Sequence, residues 1–208
     1  MSQNNKLIII GAGSLGVMTL DIALEMNKYK EIYFLDDSKS ENEFVHTYKV
    51  LGGIDTINAL NILKYDFVIS IANNATRKKI AEKYNNLNFV NIIHPKSSIS
   101  RFSQIGKGNI ILPNVSIDPE TIIHDHTIIN KNTSLGHNVI MKNYAQSSPG
   151  CQLGGKIGEL TFIGLGATVL PNINIGANCI IGAGAVVTEN IPANVTAVGV
   201  PARVIKER

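Results

Sequence analysis

The sequence predicts a small α/β domain followed by an all-β parallel solenoid, and three observations carry that prediction. Apolar residues return at every sixth position between residues 99 and 187. A strand, a glycine turn and a helix succeed one another at the start of the chain, and the change from one pattern to the other falls near residue 95. The first run is Ile99, Ile105, Ile111, Ile117, Ile123, Ile129, Leu135 and Met141; the second is Ile157, Ile163, Val169, Ile175, Ile181 and Val187. A helix repeats at about 3.6 residues and a strand at about 2, so a six-residue period fits a coil of short equivalent segments, the hexapeptide signature of a parallel β-helix. Glycine follows several of these positions (Gly106, Gly136, Gly158, Gly164, Gly176, Gly182), which suits corners with unusual dihedrals. The two runs differ by four residues modulo six, so a bulge is expected near Gly155.

Composition narrows the possibilities. A chain of 208 residues with 44% hydrophobic content can bury a core in one domain or two small ones. The net charge is +3, and the basic residues cluster only at Arg77, Lys78, Lys79 and the C-terminal end, which argues against a nucleic-acid footprint. Only residues 7–10 are consecutively and strongly apolar before glycine intervenes, too few for a signal peptide or membrane span, so a cytoplasmic location is expected. Cys151 and Cys179 form no CxxC pair and are expected to be free buried thiols.

In chain order, residues 7–10 read as a buried parallel strand running into a glycine turn and a helix over about 15–27. Gly11, Gly13 and Gly16 satisfy GxGxxG, whose glycines allow a tight turn and let helix N-terminal amides approach a phosphate. A second strand over 31–35 ends in Asp36 and Asp37, where a dinucleotide-binding unit places its ribose acid. That admits an NAD enzyme, although an α/β segment ending near residue 95 is short for two mononucleotide halves. A third strand over 67–71 leads through Ala72, Asn73 and Asn74 into another helix. Ligands bind at the carboxyl ends of such strands, so Gly11, Gly13, Asp36, Asp37 and Asn73 are candidates to line one crevice. The competing reading makes the aspartates solvated turn residues and Asn73 a helix cap. A fourth strand over 89–93 leads to His94 and Pro95, giving expected domains of 1–95 and 96–208.

The glycine loop, the strand end at Leu35, Asp36 and Asp37, the turn at residues 71–74, the junction at residues 93–95, the hexapeptide coils and the terminal GVPAR of residues 199–203 together resemble bacterial sugar acyltransferases of the PglD and NeuD type. The resemblance spans essentially the whole chain. It implies a Rossmann-like N-terminal domain holding a sugar nucleotide, and a left-handed β-helix that binds acyl-coenzyme A. It further implies a homotrimer with active sites between subunits, acetyl-coenzyme A or another acyl-coenzyme A as co-substrate, and no metal. The implied reaction is transfer to the 4-amino group of a UDP- or dTDP-linked 4-amino-4,6-dideoxyhexose in surface-glycan biosynthesis. Sialic acid O-acetylation is the alternative on the same scaffold; an NAD-dependent sugar reductase and a non-catalytic nucleotide-sugar-binding trimer are more distant.

By the same resemblance His137 is the general base, a role that suits imidazole because it titrates near neutral pH. Asn130 lies near the reacting groups, with laddering inside the coil as its alternative, and the Gly155 amide is the oxyanion donor. Two positions depart from the family pattern: Asn138 replaces a carboxylate after the histidine, and Gln146 replaces a second histidine. The missing carboxylate favours an amine over a hydroxyl acceptor, since an amine needs a weaker base. Gln146, Gly155, Gly164, Gly182, Ala183, Gly199 and Arg203 are the implied acyl-coenzyme A contacts. Cys151 is read as a small core residue rather than an acyl-enzyme nucleophile. His124, Asp125 and His126 beside His137 raise a metal site, but the expected reading is a solvated turn. His94 either faces the sugar pocket or caps a strand.

Overall fold

The structure is a computed structural model and describes residues 5–208. The N-terminal region comprises β1 (Lys6–Ile10), α1 (Ser14–Glu25), β2 (Glu31–Leu35), a hairpin of β3 (Phe44–Val45) and β4 (Tyr48–Lys49), β5 (Asp66–Ile69) and α2 (Asn74–Lys83). The main strands pair in parallel in the order β2-β1-β5. Leu7 and Ile9 pack on one side with α1, and Ile8 and Ile10 on the other with Ile80 and Ala81 of α2. Burial on both faces explains the unbroken aliphatic run of β1. Three strands make one mononucleotide-type half, as the short segment predicts.

The expected fourth strand divides. Phe89 makes a single bridge to Phe67, whereas β6 (Ile92–Ile93) leaves the sheet and pairs with Ile110–Ile111 in the solenoid. The hydrophobic run looks continuous because both destinations are apolar.

From there the chain winds as the left-handed β-helix, with three parallel sheets forming the faces of a triangular prism. Ile99 pairs with Ile117, Ile117 with Leu135, and Leu135 with Leu153, an advance of 18 residues per coil. The aliphatic column points inward, and Cys151 and Cys179 sit in it as free, buried thiols. Two strands, Val195–Val198 and Arg203–Glu207, close the end of the eight-stranded sheet as an antiparallel hairpin.

Two expectations about the corners are corrected. No bulge occurs at Gly155: Leu153 and Ile157 occupy successive inward positions only four residues apart, so this corner is short by two residues. The chain can cut the corner because Gly154 and Gly155 press against the next coil, where a Cβ on Gly155 would lie 2.0 Å from the Ile173 carbonyl oxygen. Nor do the glycines after the apolar positions serve unusual dihedrals. The left-handed residues come two positions later, at Gly108, Asn138, Leu160, Gly166, Asn178 and Gly184. Most of those glycines are needed for close approach instead: a Cβ on Gly158 would lie 2.3 Å from the Gly176 carbonyl carbon.

The N-terminal domain covers the outer face of the eight-stranded sheet, where Ile92, Ile110 and Ile128 share a core with α1. Beside this contact Arg77 of α2 is fully buried. Its guanidinium donates to the carbonyls of His126 (2.8 Å), Tyr144 (2.7 Å) and Ile71 (2.8 Å) and to Asn74 Oδ1 (2.9 Å). Burial pulls its pKa down to about 9, so the charge is held by carbonyl dipoles. Asn74 Nδ2 donates to the Leu160 carbonyl (2.9 Å), and Lys78 pairs with Glu159 (2.6 Å), along the same corner. Arg77→Ala strands several buried acceptors and is expected to lower unfolding free energy by at least about 3 kcal/mol in a denaturant titration.

Candidate active site

His137 lies at the corner after the strand Ser134–Leu135, between the six- and five-stranded sheets. Its ring is exposed, and its Nδ1 stands 2.8 Å from Asn138 Nδ2. The next coil contributes the shortened corner at Gly154 and Gly155, and the coil after that contributes Pro171, Asn172 and Asn174. With Lys156 these residues line a cavity of about 260 Å³. The cavity is the recess left where two residues are missing from the middle of three stacked corners.

Its chemistry follows from the lining. Gly155 is buried, and among the described residues no group accepts a hydrogen bond from its N–H, although its neighbours Gly154 and Lys156 both donate to backbone carbonyls. Buried backbone donors are almost always paired, so this N–H lacks the partner such groups usually have. No acidic side chain lines the recess, and among the described residues the Lys156 ammonium makes no ion pair. An imidazole, an unpaired amide and a nearby cation suit a reaction in which negative charge develops on oxygen as a proton leaves.

The remaining candidates are distributed elsewhere. Asn130, Gly164, Gly182 and Ala183 occupy the neighbouring corner, between the eight- and six-stranded sheets. Asn130 does not ladder inward: its Oδ1 accepts from the Lys131 N–H (2.9 Å), and its N–H donates to Ser147 Oγ (3.3 Å). Gln146 lies between Ile128 and Phe162 in the eight-stranded sheet, buried, with Oε1 unpartnered among the described residues. Gly199 adopts a left-handed φ of 100° in the terminal segment and accepts from the Val186 N–H (3.0 Å), while Arg203 stands 3.6 Å from Glu189.

In the N-terminal domain, Asp36 accepts from the Ala12 N–H (2.7 Å) and from the Ser38 N–H and hydroxyl (2.8 and 2.6 Å). Burial pushes its pKa up, but the Ser38 and Ala12 hydrogen bonds outweigh this and hold it below the usual carboxylate value. Asp36 therefore clamps the glycine turn to the end of β2. Asp37 accepts from the Ile54 N–H (2.7 Å). A Cβ on Gly11 would meet the Ser70 carbonyl oxygen at 2.6 Å, while Gly13, ahead of α1, faces open space. Asn73 caps α2 by accepting from the Thr76 N–H (2.9 Å). It lines a different space, a cleft of about 200 Å³ shared with Asn74, Leu160, Phe162, Ile180 and Arg208 at the domain junction.

His126 corrects the expected solvated turn. Its ring is buried, stacked on Tyr144 (5.5 Å between centroids) and edge-on to Phe89 (4.7 Å). His94 is also local: its Nδ1 accepts from the Lys96 N–H (3.0 Å). Sequence reasoning missed Lys156, Pro171, Asn172 and Asn174 as cavity residues, and it read Arg77 only as part of a basic cluster. The phase slip marks that corner as irregular, but which later residues stack over Gly155 is given only by the strand register.

The fold and the corner chemistry define a hexapeptide-repeat acyltransferase, and residues 149–189 match the bacterial transferase hexapeptide family. Residues 6–84 match the PglD N-terminal domain. Among solved structures, the acetyltransferase domain of PglB from Neisseria gonorrhoeae, in complex with acetyl coenzyme A, is 30% identical with a TM-score of 0.93, covering 97% of this chain and 100% of that one. PerB from Caulobacter crescentus, in complex with CoA and GDP-perosamine, is 28% identical with a TM-score of 0.88, covering 97% of each chain. WeeI from Acinetobacter baumannii is 25% identical with a TM-score of 0.88, covering 96% of this chain and 99% of that one. The chain belongs to the PglD/NeuD-type family of bacterial sugar acyltransferases. No described helix is long and apolar enough to cross a membrane.

Two outcomes follow from this geometry. Gly155→Ala forces a methyl group against a backbone carbonyl and is expected to cost about 1–3 kcal/mol, measurable as a lowered melting temperature. His126 is neutral in the fold because burial lowers its pKa to about 4. The unfolded chain takes up that proton below about pH 6.5, so stability falls as pH drops from about 6.5 toward 4, by at most roughly 3 kcal/mol. His126→Asn, which tolerates the left-handed backbone, should flatten that limb of the stability–pH curve measured by denaturation.

Proposed function

We propose that the protein is an acyl-coenzyme A-dependent N-acyltransferase acting on the 4-amino group of a nucleotide-linked 4-amino-4,6-dideoxyhexose. In this reading residues 1–95 hold the sugar nucleotide, and residues 96–208 bind the acyl donor and carry out transfer. The observation that carries it is that Gly155, whose N–H has no partner among the described residues, lines the same cavity as His137. The sugar amine attacks the thioester carbonyl while His137 takes its proton, and the Gly155 N–H receives the oxyanion. No covalent acyl-enzyme is needed, and Cys151, the nearest thiol in sequence to this corner, is turned into the core. The absence of acids from the cavity lining favours an acceptor that needs only modest base strength, an amine rather than the hydroxyl of sialic acid.

A homotrimer with sites between subunits is part of the proposal, and topology supports it. The N-terminal domain covers one face of the prism, while His137 stands on the edge opposite that face, between the other two sheets. In such a trimer a sugar nucleotide held by one copy would meet the transfer corner of another. Asn130, Gly164, Gly182 and Ala183, one corner away in the same chain, would face this site from a neighbouring copy and flank the pantetheine arm.

The test is thiol release from acetyl-coenzyme A with UDP-, dTDP- and GDP-linked 4-amino-sugars, with sialic acid alongside. The GDP-linked acceptor is included because PerB is complexed with GDP-perosamine. Release with one amino-sugar nucleotide is expected, and release with sialic acid alone would select O-acetylation. His137→Ala should lower kcat by roughly 10²- to 10⁴-fold while leaving sugar-nucleotide binding, measured by calorimetry, unchanged; undiminished turnover would remove His137 from the mechanism.

A further inference from the structure

Asn138 stands where a carboxylate would fix the tautomer of the base, and an amide does something different there. Its Nδ2 lies 2.8 Å from His137 Nδ1. An amide nitrogen only donates, so in this arrangement Nδ1 must accept and the proton of the neutral ring resides on Nε2. A ring in that state carries its N–H at Nε2 and cannot take a proton there. A carboxylate only accepts; it would hold the proton on Nδ1 and leave Nε2 basic.

Asn138 can also present its other face. Among the described residues no protein group donates to its Oδ1, so a half-turn of the amide, with the ring proton leaving Nε2 and another arriving at Nδ1 by exchange with solvent at this exposed corner, replaces one hydrogen bond by another, Nδ1–H donating to Oδ1. The backbone explains how an amide comes to be here: Asn138 is a left-handed corner residue with φ 62°, like Asn114, Asn132, Asn172, Asn178 and Asn194. Asparagine and aspartate both tolerate that conformation, and glycine adopts it freely.

We propose that Asn138 is a positioning residue that sets the tautomer of His137: with Nδ2 forward the ring is held off base, and with the amide turned Nε2 is free to take the proton of the incoming amine. This rests on His137 being the base. As the new C–N bond forms, the amine proton passes to Nε2, and the resulting imidazolium keeps its Nδ1–H bonded to Oδ1. As the C–S bond breaks, the Nε2 proton goes to the departing sulfur, so amine and thioester become amide and thiol with the ring restored. The turn gives the imidazolium a fixed acceptor at Nδ1, which Nδ2 cannot be.

The test combines a spectroscopic and a kinetic readout. In protein labelled with ¹⁵N-histidine, long-range ¹H–¹⁵N spectra at alkaline pH should report His137, assigned by its loss in His137→Ala, as the Nε2–H tautomer in the parent. In Asn138→Asp it should be the Nδ1–H tautomer. With acetyl-coenzyme A and the amino-sugar nucleotide that supports thiol release, Asn138→Gly should lower kcat roughly 10-fold with KM for acetyl-coenzyme A within about twofold. Asn138→Asp should match or exceed the parent kcat. The same tautomer in parent and Asn138→Asp, or an unchanged or raised kcat in Asn138→Gly, overturns the proposal. Undiminished turnover in His137→Ala overturns instead the reading on which it rests.

Discussion

The structure depends above all on the vertical ladder between coils. Parallel strands stack at about 4.8 Å, and several corners bring their backbone over the corner of the next coil without a side chain in between. That close approach selects glycine at Gly158, Gly164 and Gly176, where a Cβ would strike the next coil. It places the left-handed residue two positions further on, where the chain turns back toward the next strand. The same ladder makes a shortened corner consequential. Removing two residues between Leu153 and Ile157 leaves the strands in register but pulls one corner inward, and the recess this opens is the cavity beneath His137.

A second constraint is the buried charge that joins the two domains. Among the described residues no carboxylate pairs with Arg77; its charge is spread over carbonyls from both sides of the junction, among them those of His126 and Tyr144 at one corner of successive coils. Those carbonyls are oriented only because the corners of neighbouring coils stack, so the docking site exists only once the solenoid has wound. The stacked rings of His126 and Tyr144 sit in the same column. Docking on one face of the prism leaves the opposite edge open, which is why a cleft at the domain junction and the His137 cavity are separate spaces in one chain.

Much of this was legible in the residues. The six-residue period specified the solenoid and its inward column, the strand–glycine–helix order specified the N-terminal half-fold, and the phase slip marked the irregular corner. The sign of that irregularity was not legible. A difference of four modulo six equally describes two residues removed or four added, and only the strand register, with Leu153 and Ile157 at successive inward positions, decides for removal. The role of the corner glycines was misread because steric exclusion by a neighbouring coil and a left-handed dihedral both demand glycine, and sequence alone shows the same letter for each. The strand expected over 89–93 was split for a similar reason, since Phe89 and Ile92 bury equally well against either domain.

By itself, the sequence determined the architecture, because a period of six admits few folds and a buried aliphatic at each repeat leaves little freedom in register. It also determined which residues carry reactive groups. Only the tertiary structure decided which of them meet. His137 and Gly155 share a cavity because eighteen residues bring the chain once around the prism. Asn130, seven residues from His137, is turned to another corner by the intervening strand. Proximity in a solenoid is set by the length of a coil rather than by distance along the chain, and that length is fixed by packing the three faces around one core.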